Sequence, residues 1–344
     1  MNKGRGVSRA VTDNLTCATK IVGCMKQHLE KLERCGRTIE YNQVALVKML
    51  YIIGLGLADE RDISVKGLEI VKRAERVYLE AYTAVLLVDK DVLEAYYGRS
   101  IIIADRETVE SQSDSILAGA DTVDVAFLVV GDPFSATTHA DLALRCRQNS
   151  PPIPTRTLPN ASILTAVGAT GLSLYSFGQT VSMVFYEENW RPNSWYPKVK
   201  ENADLGLHTL ILLDIKVKEP NLKALERGKY VFDPPRFMTA AQCAEQMLET
   251  EETRAASEEG KSTGVAGKER LAVAVARLGS EGEKIVAGTL EELAQQDLGK
   301  PLHSLVLCGW KMHEMEWEFV RDFAVDREKF DEIWKRDYAG KGVQ

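Results

Sequence analysis

The chain has 344 residues, of which 45% are hydrophobic and 27% charged, so it is long enough for two domains of ordinary size with full cores. Its formal net charge of −7 gives the chain as a whole no electrostatic reason to hold nucleic acid or an anionic membrane. No apolar run approaches the roughly 20 residues that a membrane-spanning helix needs.

The six cysteines and five histidines form no recognisable site. The cysteines are scattered and include no C-x-x-C pair, which indicates reduced thiols in a cytoplasmic protein rather than a disulfide framework. The histidines show neither H-x-x-x-H nor H-E-x-x-H spacing. We therefore expect no metal site.

Residues 1–48 differ from the rest of the chain. They carry nine Lys/Arg against four Asp/Glu and show no sustained apolar periodicity, so we predict a disordered N-terminal extension. The alternative is a mitochondrial transit peptide, which is typically basic and poor in acidic residues. Glu30, Glu33 and Glu40 count against it. Met49 stands directly before the first predicted strand and could itself be the natural start.

From residue 49 to residue 159, apolar strands alternate with amphipathic helices. The pattern predicts strands over 50–53, 76–79, 100–104 and 123–130, and helices over 64–74, 108–117 and 138–147. Ser64 is the expected cap of the first helix. This alternation is typical of an α/β domain whose largely parallel sheet is covered on both faces.

A proline-rich segment ends this first unit. Pro151, Pro152, Pro154 and Pro159 remove amide donors, so the segment cannot be a helix interior or a central strand, and we place a domain boundary near residue 160.

A second α/β domain is predicted over 160–320, and residues 321–344 are assigned as a C-terminal tail. The second domain has predicted strands over 180–185, 208–217, 271–277, 284–287 and 305–307, and helices over 162–167, 240–249 and 289–296. One or two further helices are expected over 314–336. Residues 251–261 are highly charged and predict a mobile loop.

The turn Gly54-Leu55-Gly56 after the first strand invites comparison with a dinucleotide-binding fingerprint. That fingerprint needs a third glycine at the position of Asp59, at the mouth of a helix. An aspartate there would repel a pyrophosphate, and the following helix begins late, at Ser64. The pattern therefore favours an adenosine ligand without phosphates over a dinucleotide.

The strongest local feature is the run from Val129 to Phe134, in which Gly131 and Asp132 follow a buried strand. Ligands of open α/β sheets bind at the carboxyl ends of the strands, so Asp132 could pair with a cationic group of a ligand. Alternatively, Asp132 is only a turn residue that caps the next helix.

Two later positions allow a ligand role beside a structural one. Asn160 and Ser162 stand where a helix begins and could present free amides to a ligand, or simply cap that helix. His303 stands at the mouth of a strand and could line a pocket, although a structurally satisfied histidine is the alternative by residue type.

Eight segments, in the same order along the chain, resemble the diphthine synthase family, a branch of the tetrapyrrole methylase-like methyltransferases. They are MLYIIGLGL (49–57), LEAYT (79–83), GDPF with ATTH (131–139), NASI (160–163), FGQTVS (177–182), HTLILLDIKV (208–217), DPPR (233–236) and PLHSL (301–305).

The resemblance implies two α/β domains of the class III methyltransferase fold, with S-adenosylmethionine bound in the cleft between them, usually in a homodimer. It also implies a protein substrate, translation elongation factor 2, in which an aminocarboxypropyl group on a histidine is methylated repeatedly. Eukaryotic members are similar to enzymes that add three methyl groups to the amine and a fourth to the carboxylate. Archaeal members are known for the three on the amine.

Carried over by position, the residues that the resemblance places at the cofactor are Leu57, Asp132, Ser135, Ser162, Ile163, Leu213, Leu278 and His303. One of them departs from the family pattern, since glycine is usual where this chain has Ser135. A serine restricts the backbone more than a glycine does, so this contact could differ here.

The chemistry that the resemblance implies needs alignment and exclusion of water more than proton transfer, so we assign no catalytic base. Glu80, Tyr82 and Asp105 are candidates for steering the substrate, and 251–261 for contacting the protein substrate at the rim. Three alternatives stay open: an enzyme that stops at trimethylation, a methyltransferase of the same fold that acts on a small tetrapyrrole-like ring, and a non-catalytic partner of the translation apparatus.

Overall fold

The computed structural model describes residues 48–341 except 83, 85, 136–138, 226 and 257–263. Almost all of the predicted N-terminal extension therefore lies outside the described residues, and so does much of the predicted charged loop. The chain from Lys48 onward forms a single structural unit.

The first half of this unit is built on a five-stranded sheet. Its strands are β1 (Leu50–Gly54), β2 (Arg76–Glu80), β3 (Ile102–Ala104), β4 (Val125–Val129) and β5 (Thr155–Leu158). They are all parallel, in the order β3-β2-β4-β1-β5. Tyr51 and Ile53 face one hydrophobic core and Leu50 and Ile52 face another, so the sheet is buried on both faces and the predicted parallel sheet is confirmed.

The helices of this half are α1 (Val65–Arg73), α2 (Lys90–Tyr97), α3 (Arg106–Glu110), α4 (Asp114–Leu117) and α5 (Ala140–Gln148). Ser64 caps α1 as predicted, because its side chain accepts a hydrogen bond from the amide of Gly67. The helix predicted over 108–117 is two short helices, α3 and α4. Neither α2 nor strand β5 was predicted.

The position of β5 explains why prolines precede it. Strand β5 lies at the edge of the sheet and pairs only with β1, and the carbonyl of Pro154 accepts the amide of Leu50 at 2.9 Å. An edge strand needs donors on one side only, so it tolerates a proline-rich approach that a central strand would not.

The second half is built on a mixed sheet. Its strands are β6 (Val181–Met183), β7 (Thr209–Leu213), β10 (Leu271–Ala276), β11 (Lys284–Thr289) and β12 (His303–Leu307), in the order β11-β10-β12-β7-β6. Only β6 and β7 are parallel neighbours. The alanines of β10 face one core and its Leu and Val residues face the other, so this sheet is also covered on both sides.

The long strand predicted over 208–217 is interrupted at Asp214. The carbonyl of Asp214 accepts the amide of Met238 at 3.0 Å, and its carboxylate accepts the amide of Phe185 at 3.2 Å. Beyond this residue the chain leaves the large sheet and forms a separate two-stranded ribbon of β8 (Ile215–Lys216) and β9 (Arg236–Phe237).

The helices of the second half are α6 (Ile163–Ala166), α7 (Trp195–Leu205), α8 (Leu222–Leu225), α9 (Ala240–Ala256), α10 (Leu290–Leu293), α11 (Glu314–Val320) and α12 (Arg327–Asp337). Short 3-10 turns occupy Val167–Thr170, Leu174–Ser176 and Arg321–Phe323. Helix α7 was not predicted.

The prediction of a mobile loop from residue 251 is wrong for its first six residues, which belong to α9. Glu251 is only 6% exposed, and its carboxylate accepts the amides of Gly264 at 2.8 Å and Ala266 at 3.1 Å. The composition of the segment suggested that it is solvated. Glu251 is nevertheless buried, because its carboxylate accepts hydrogen bonds from main-chain amides that follow the end of α9.

The segment predicted as a C-terminal tail contains α12, whose residues Phe330, Ile333 and Trp334 lie in the core under the Leu and Val side of β10. Trp334 stacks on Trp317, with ring centroids 4.5 Å apart. No helix among the described residues is both long and apolar enough to cross a membrane.

Candidate functional site

A cavity of about 370 Å³ opens between the carboxyl edge of the parallel sheet and the mixed sheet. All eight residues predicted at the cofactor line it: Leu57, Asp132, Ser135, Ser162, Ile163, Leu213, Leu278 and His303. They come from loops that follow β1, β4 and β5, from the end of β7, and from the segments after β10 and at the start of β12. Residues far apart in the chain therefore meet at one place.

The loop after β1 is held by a carboxylate. The side chain of Asp62 accepts the amides of Leu57 at 3.1 Å and Ala58 at 2.8 Å. Gly56 has φ +78°, and a β-carbon there would lie 2.6 Å from Asp62, so only glycine fits this turn. These contacts fix Leu57 at the cavity wall.

The environment of Asp59 does not match that of a dinucleotide-binding site. Its carboxylate pairs with Arg61 at 2.6 Å, and hydrogen bonds from Arg61 lower the pKa of that carboxyl group. Helix α1 begins only at Val65, well beyond the glycine turn. The turn therefore does not present a helix N-terminus to a pyrophosphate as the dinucleotide fingerprint requires.

Asp132 holds two loops together. One carboxylate oxygen accepts the amide of Phe134 at 3.0 Å and the hydroxyl of Ser135 at 3.1 Å. The other accepts the amide of Asn160, which lies in the loop after β5, at 3.1 Å. The prediction that Asp132 caps the next helix is wrong, because the N-cap of α5 is His139; Asp132 instead accepts hydrogen bonds within its own turn and from Asn160, and its side chain forms part of the cavity wall.

Asn160 completes this junction. Its side-chain amide donates to the carbonyls of Gly54 and Asp62, both at 2.9 Å. A β-carbon on Gly54 would lie 2.6 Å from the carbonyl oxygen of Gly131 and 2.7 Å from the side chain of Asn160. The ends of β1, β4 and β5 therefore meet so closely that Gly54 has no room for a side chain.

Ser135 fits its loop without strain. Its backbone does not adopt a positive φ, and its hydroxyl donates to Asp132. Ser135, where the resemblance leads us to expect glycine, thus adds a hydrogen bond to the same junction.

Ser162 and Ile163 line the cavity at the start of α6. Ser162 is 5% exposed, and its amide donates to the hydroxyl of Thr165 at 3.4 Å. Its carbonyl accepts the amides of Thr165 and Ala166. The N-cap interpretation of Ser162 is therefore correct, and the same residue faces the cavity.

His303 uses both ring nitrogens inside the protein. Nε2 lies 3.1 Å from the carbonyl of Gly299 and 3.0 Å from that of Lys300, and so carries the proton. Nδ1 then accepts the amide of Ala240, at the start of α9, at 3.3 Å. Burial lowers the pKa of His303 despite the opposing effect of the two carbonyls, so the ring is neutral at pH 7.

The three candidates for steering the substrate have different environments. Tyr82 lines the cavity. Glu80 is fully buried and accepts the amide of Tyr82 at 2.9 Å. Asp105 accepts the amide and hydroxyl of Thr108 and pairs with Lys218 at 3.3 Å.

Several lining residues were not predicted as site residues: Arg106, Ser182, Met183, Val184, Asp214, Ile215, Phe237, Met238, Arg277, Leu302 and Ser304. Some lie inside segments that carry the family resemblance, which was the available signal. Phe237 and Met238 reach the cavity only because the chain turns away at Asp214 to pair β8 with β9.

The cavity is mostly apolar, and its charged side chains are largely used internally. Asp132 and Asp214 accept main-chain amides, and the guanidinium of Arg277 donates to the carbonyls of Gly282, Leu298 and Lys300. Such a site can orient a ligand and exclude water, and its internally satisfied histidine and carboxylates are not poised as proton acceptors.

Comparison with known proteins agrees with this architecture. Residues 49–294 match the family model of the tetrapyrrole (corrin/porphyrin) methylases. A diphthine methyl ester synthase of Emericella nidulans is 62% identical over 85% of this chain and 99% of its own length. The enzyme of that name in Saccharomyces cerevisiae is 54% identical over 82% of this chain and 91% of its own.

Solved structures give the same result. A crystal structure from Entamoeba histolytica, assigned as a diphthine synthase, has a TM-score of 0.70 and 43% identity, and covers 81% of this chain and 99% of that one. Another crystal structure of a diphthine synthase has a TM-score of 0.68 and 32% identity, over 83% of this chain and 99% of its own. The chain is therefore a methyltransferase of the tetrapyrrole methylase family, and within it belongs to the diphthine synthase group.

Proposed function

We propose that this chain uses S-adenosylmethionine to methylate the aminocarboxypropyl-modified histidine of elongation factor 2, three times on the amine and once on the carboxylate. The observation that carries the proposal is the convergence of all eight family positions on one cavity. The final ester is supported by relatives of up to 62% identity that are named diphthine methyl ester synthases.

The cavity suits a cofactor of this kind. Its volume falls within the range of small-molecule sites, and apolar side chains such as Leu57, Ile163 and Leu278 offer contacts to an adenosine. The two lining carboxylates, Asp132 and Asp214, are matched in number by Arg106 and Arg277, and Asp132 lies among the predicted cofactor positions, where it can attract a cationic group. When bound, S-adenosylmethionine supplies a methyl group on a positively charged sulfur.

The protein's own contribution is to align the reacting atoms and to exclude water from them. The junction of Asp132 and Asn160 and the buried His303 hold the walls rigid, so that nucleophile, methyl carbon and sulfur can lie in line. An amine nucleophile has a pKa of about 8, which burial lowers, so solvent can take its proton. A carboxylate nucleophile is already ionised and needs no base.

The resemblance further supports a cytoplasmic protein that forms a homodimer. Light scattering on the purified chain tests the oligomeric state, and fractionation of cells tests the location.

The decisive experiment is mass spectrometry of elongation factor 2 after incubation with the purified chain and S-adenosylmethionine. The substrate must carry the aminocarboxypropyl group, and unmodified elongation factor 2 is the control. Four added methyl groups on the modified protein alone are expected. Three would indicate an enzyme that stops at trimethylation, and none would overturn the proposal.

A further inference from the structure

The strand order divides the cavity into two sides. Leu57 follows β1, Asp132 follows β4 and Ser162 follows β5, so the predicted cofactor contacts of the parallel sheet occupy the β4-β1-β5 side. Tyr82 follows β2 and Arg106 follows β3, on the other side of the same edge. With about 4.8 Å between neighbouring strands, β3 lies roughly 10 Å from β4. A methyl acceptor beside the cofactor would therefore lie near Tyr82 and Arg106.

Among the charged side chains that line the cavity in the described part of the protein, Arg106 is the one that remains able to bind a ligand. Within 4 Å it meets one described carboxylate, that of Glu110 at 3.9 Å, and these two side chains are 63% and 50% exposed. An exposed pair of this length contributes little. Arg277, the other lining arginine among the described residues, is saturated by carbonyls.

The surroundings of Arg106 keep its charge available and its orientation defined. The neighbouring Asp105 accepts hydrogen bonds from Thr108 and pairs with Lys218, and these hydrogen bonds lower the pKa of Asp105. The guanidinium carbon of Arg106 lies 5.5 Å from the ring centroid of Tyr82, within the range of a cation–π contact.

We infer that Arg106 binds the free carboxylate of the methyl acceptor while the amine of the same group is being methylated. The inference rests on the proposed function, in which the acceptor carries both an amine and a carboxylate. A guanidinium binds a carboxylate through two parallel hydrogen bonds, which fixes direction as well as position. The amine would then be directed toward the β4 side of the cavity.

The amine of the acceptor receives three methyl groups, one in each of three steps. In each step a bond from nitrogen to the methyl carbon forms as the bond from sulfur to that carbon breaks, and the electron pair of the broken bond stays on sulfur. The first two products each release a proton to solvent, and the third is a quaternary ammonium. In the ester step the carboxylate oxygen forms the new bond, so the carboxylate must leave Arg106 first, because a paired oxygen is a weaker nucleophile.

Arg106→Ala and Arg106→Lys test this inference, with the exposed Arg147→Ala on α5 as the matched control. Loss of a charged hydrogen-bonding partner should lower kcat/KM for methylation of the modified elongation factor 2 by about tenfold or more. Arg106→Lys should recover part of the loss. Calorimetry should show S-adenosylmethionine affinity within about twofold of wild type, and ester formation on a trimethylated substrate should fall less than amine methylation.

Other outcomes are distinguishable. If wild type methylates elongation factor 2 and Arg106→Ala does so equally well, the inference is wrong and the proposed function stands. The inference is also wrong if Arg106→Ala loses cofactor affinity in proportion to its activity, or if ester formation falls as much as amine methylation. If wild type transfers no methyl group, the proposed function and this inference both fall.

Discussion

The two sheets hold their loops by partly different chemistry. The wall from the parallel sheet uses Asp62, Asp132 and Asn160, whose side chains bind main-chain groups at strand ends. The mixed sheet uses the carboxylate of Asp214 and also two histidines: His303, at the cavity, accepts the amide of Ala240, and His208, before the far end of β7 and outside the cavity lining, accepts the amide of Gly309 at 2.8 Å. Both solutions satisfy buried polar groups, but an imidazole that takes up a proton loses its acceptor nitrogen.

The difference matters at His303, the histidine that lines the cavity. A protonated imidazole is a donor at both nitrogens, so it cannot accept the amide that His303 now binds. Three predictions test this contrast.

The largest effect is expected at Glu316, which supports the mixed sheet through His208. Glu316 is 5% exposed, and its carboxylate binds Nε2 of His208 at 3.1 Å and the amides of Ser173 at 2.8 Å and His313 at 2.6 Å. Glu316→Ala leaves the buried Nε2 of His208 and the amides of Ser173 and His313 without their acceptor, and should lower the free energy of unfolding by about 3–5 kcal/mol, measured in urea. The exposed Glu314→Ala is the control.

The loss at Glu316 should depend on pH. Burial by itself would raise the pKa of Glu316, but hydrogen bonds from His208 and the two amides outweigh it and hold the pKa below its usual value. A lowered folded-state pKa contributes stability above the unfolded value of about 4.3, and that contribution is lost as pH falls through the folded value. The difference between wild type and Glu316→Ala should therefore shrink below about pH 4. A constant difference would contradict this account.

Asp132→Ala should have the next largest effect, at the parallel-sheet wall. It removes the acceptor of two amides and one hydroxyl, which should lower the free energy of unfolding by about 2–3 kcal/mol and S-adenosylmethionine affinity about tenfold. Urea unfolding and calorimetry measure the two. The exposed Asp141→Ala, in the next helix, should change neither. Unchanged affinity in Asp132→Ala would separate the loop junction from the cofactor site.

The smallest effect is expected from His303 and appears only as a pH dependence. Because burial lowers its pKa, neutral His303 contributes stability that is complete above about pH 6.5 and is lost as pH falls toward the folded-state value. Between pH 7.5 and 5.5 wild type should therefore lose more of its free energy of unfolding than His303→Gln does. Parallel unfolding curves for the two proteins would show that His303 does not link stability to pH.

Much of the fold was predictable because apolar periodicity reports burial directly. Helix α1 with its Ser64 cap and the buried strands β1 and β4 came from local pattern alone. Strand β5 was missed, because its approach of prolines is acceptable only at a sheet edge, and edge position is a property of the whole sheet. Glu251 was misjudged since its partners, Gly264 and Ala266, lie beyond the end of its own helix.

In the candidate site, too, some features were predictable from the sequence and others were not. Its eight predicted residues came from resemblance, and the structure brings them to one cavity. Local pattern could propose that Asp132 caps a turn, but not that it also binds the amide of Asn160. The availability of Arg106 could not be predicted at all, because it depends on where Glu110, Asp105 and Lys218 lie in space.

By itself, the sequence determined the alternation of strands and helices, the glycine turns at strand ends and membership of a methyltransferase family, since these depend on neighbours along the chain and on matched segments. Only the tertiary structure decided which polar side chains are consumed by the protein and which face the cavity. The physical reason is that a buried hydrogen-bonding group must find a partner, and besides their local partners Asp132, His303 and Glu316 each bind one that lies 28, 63 and 108 residues away, respectively.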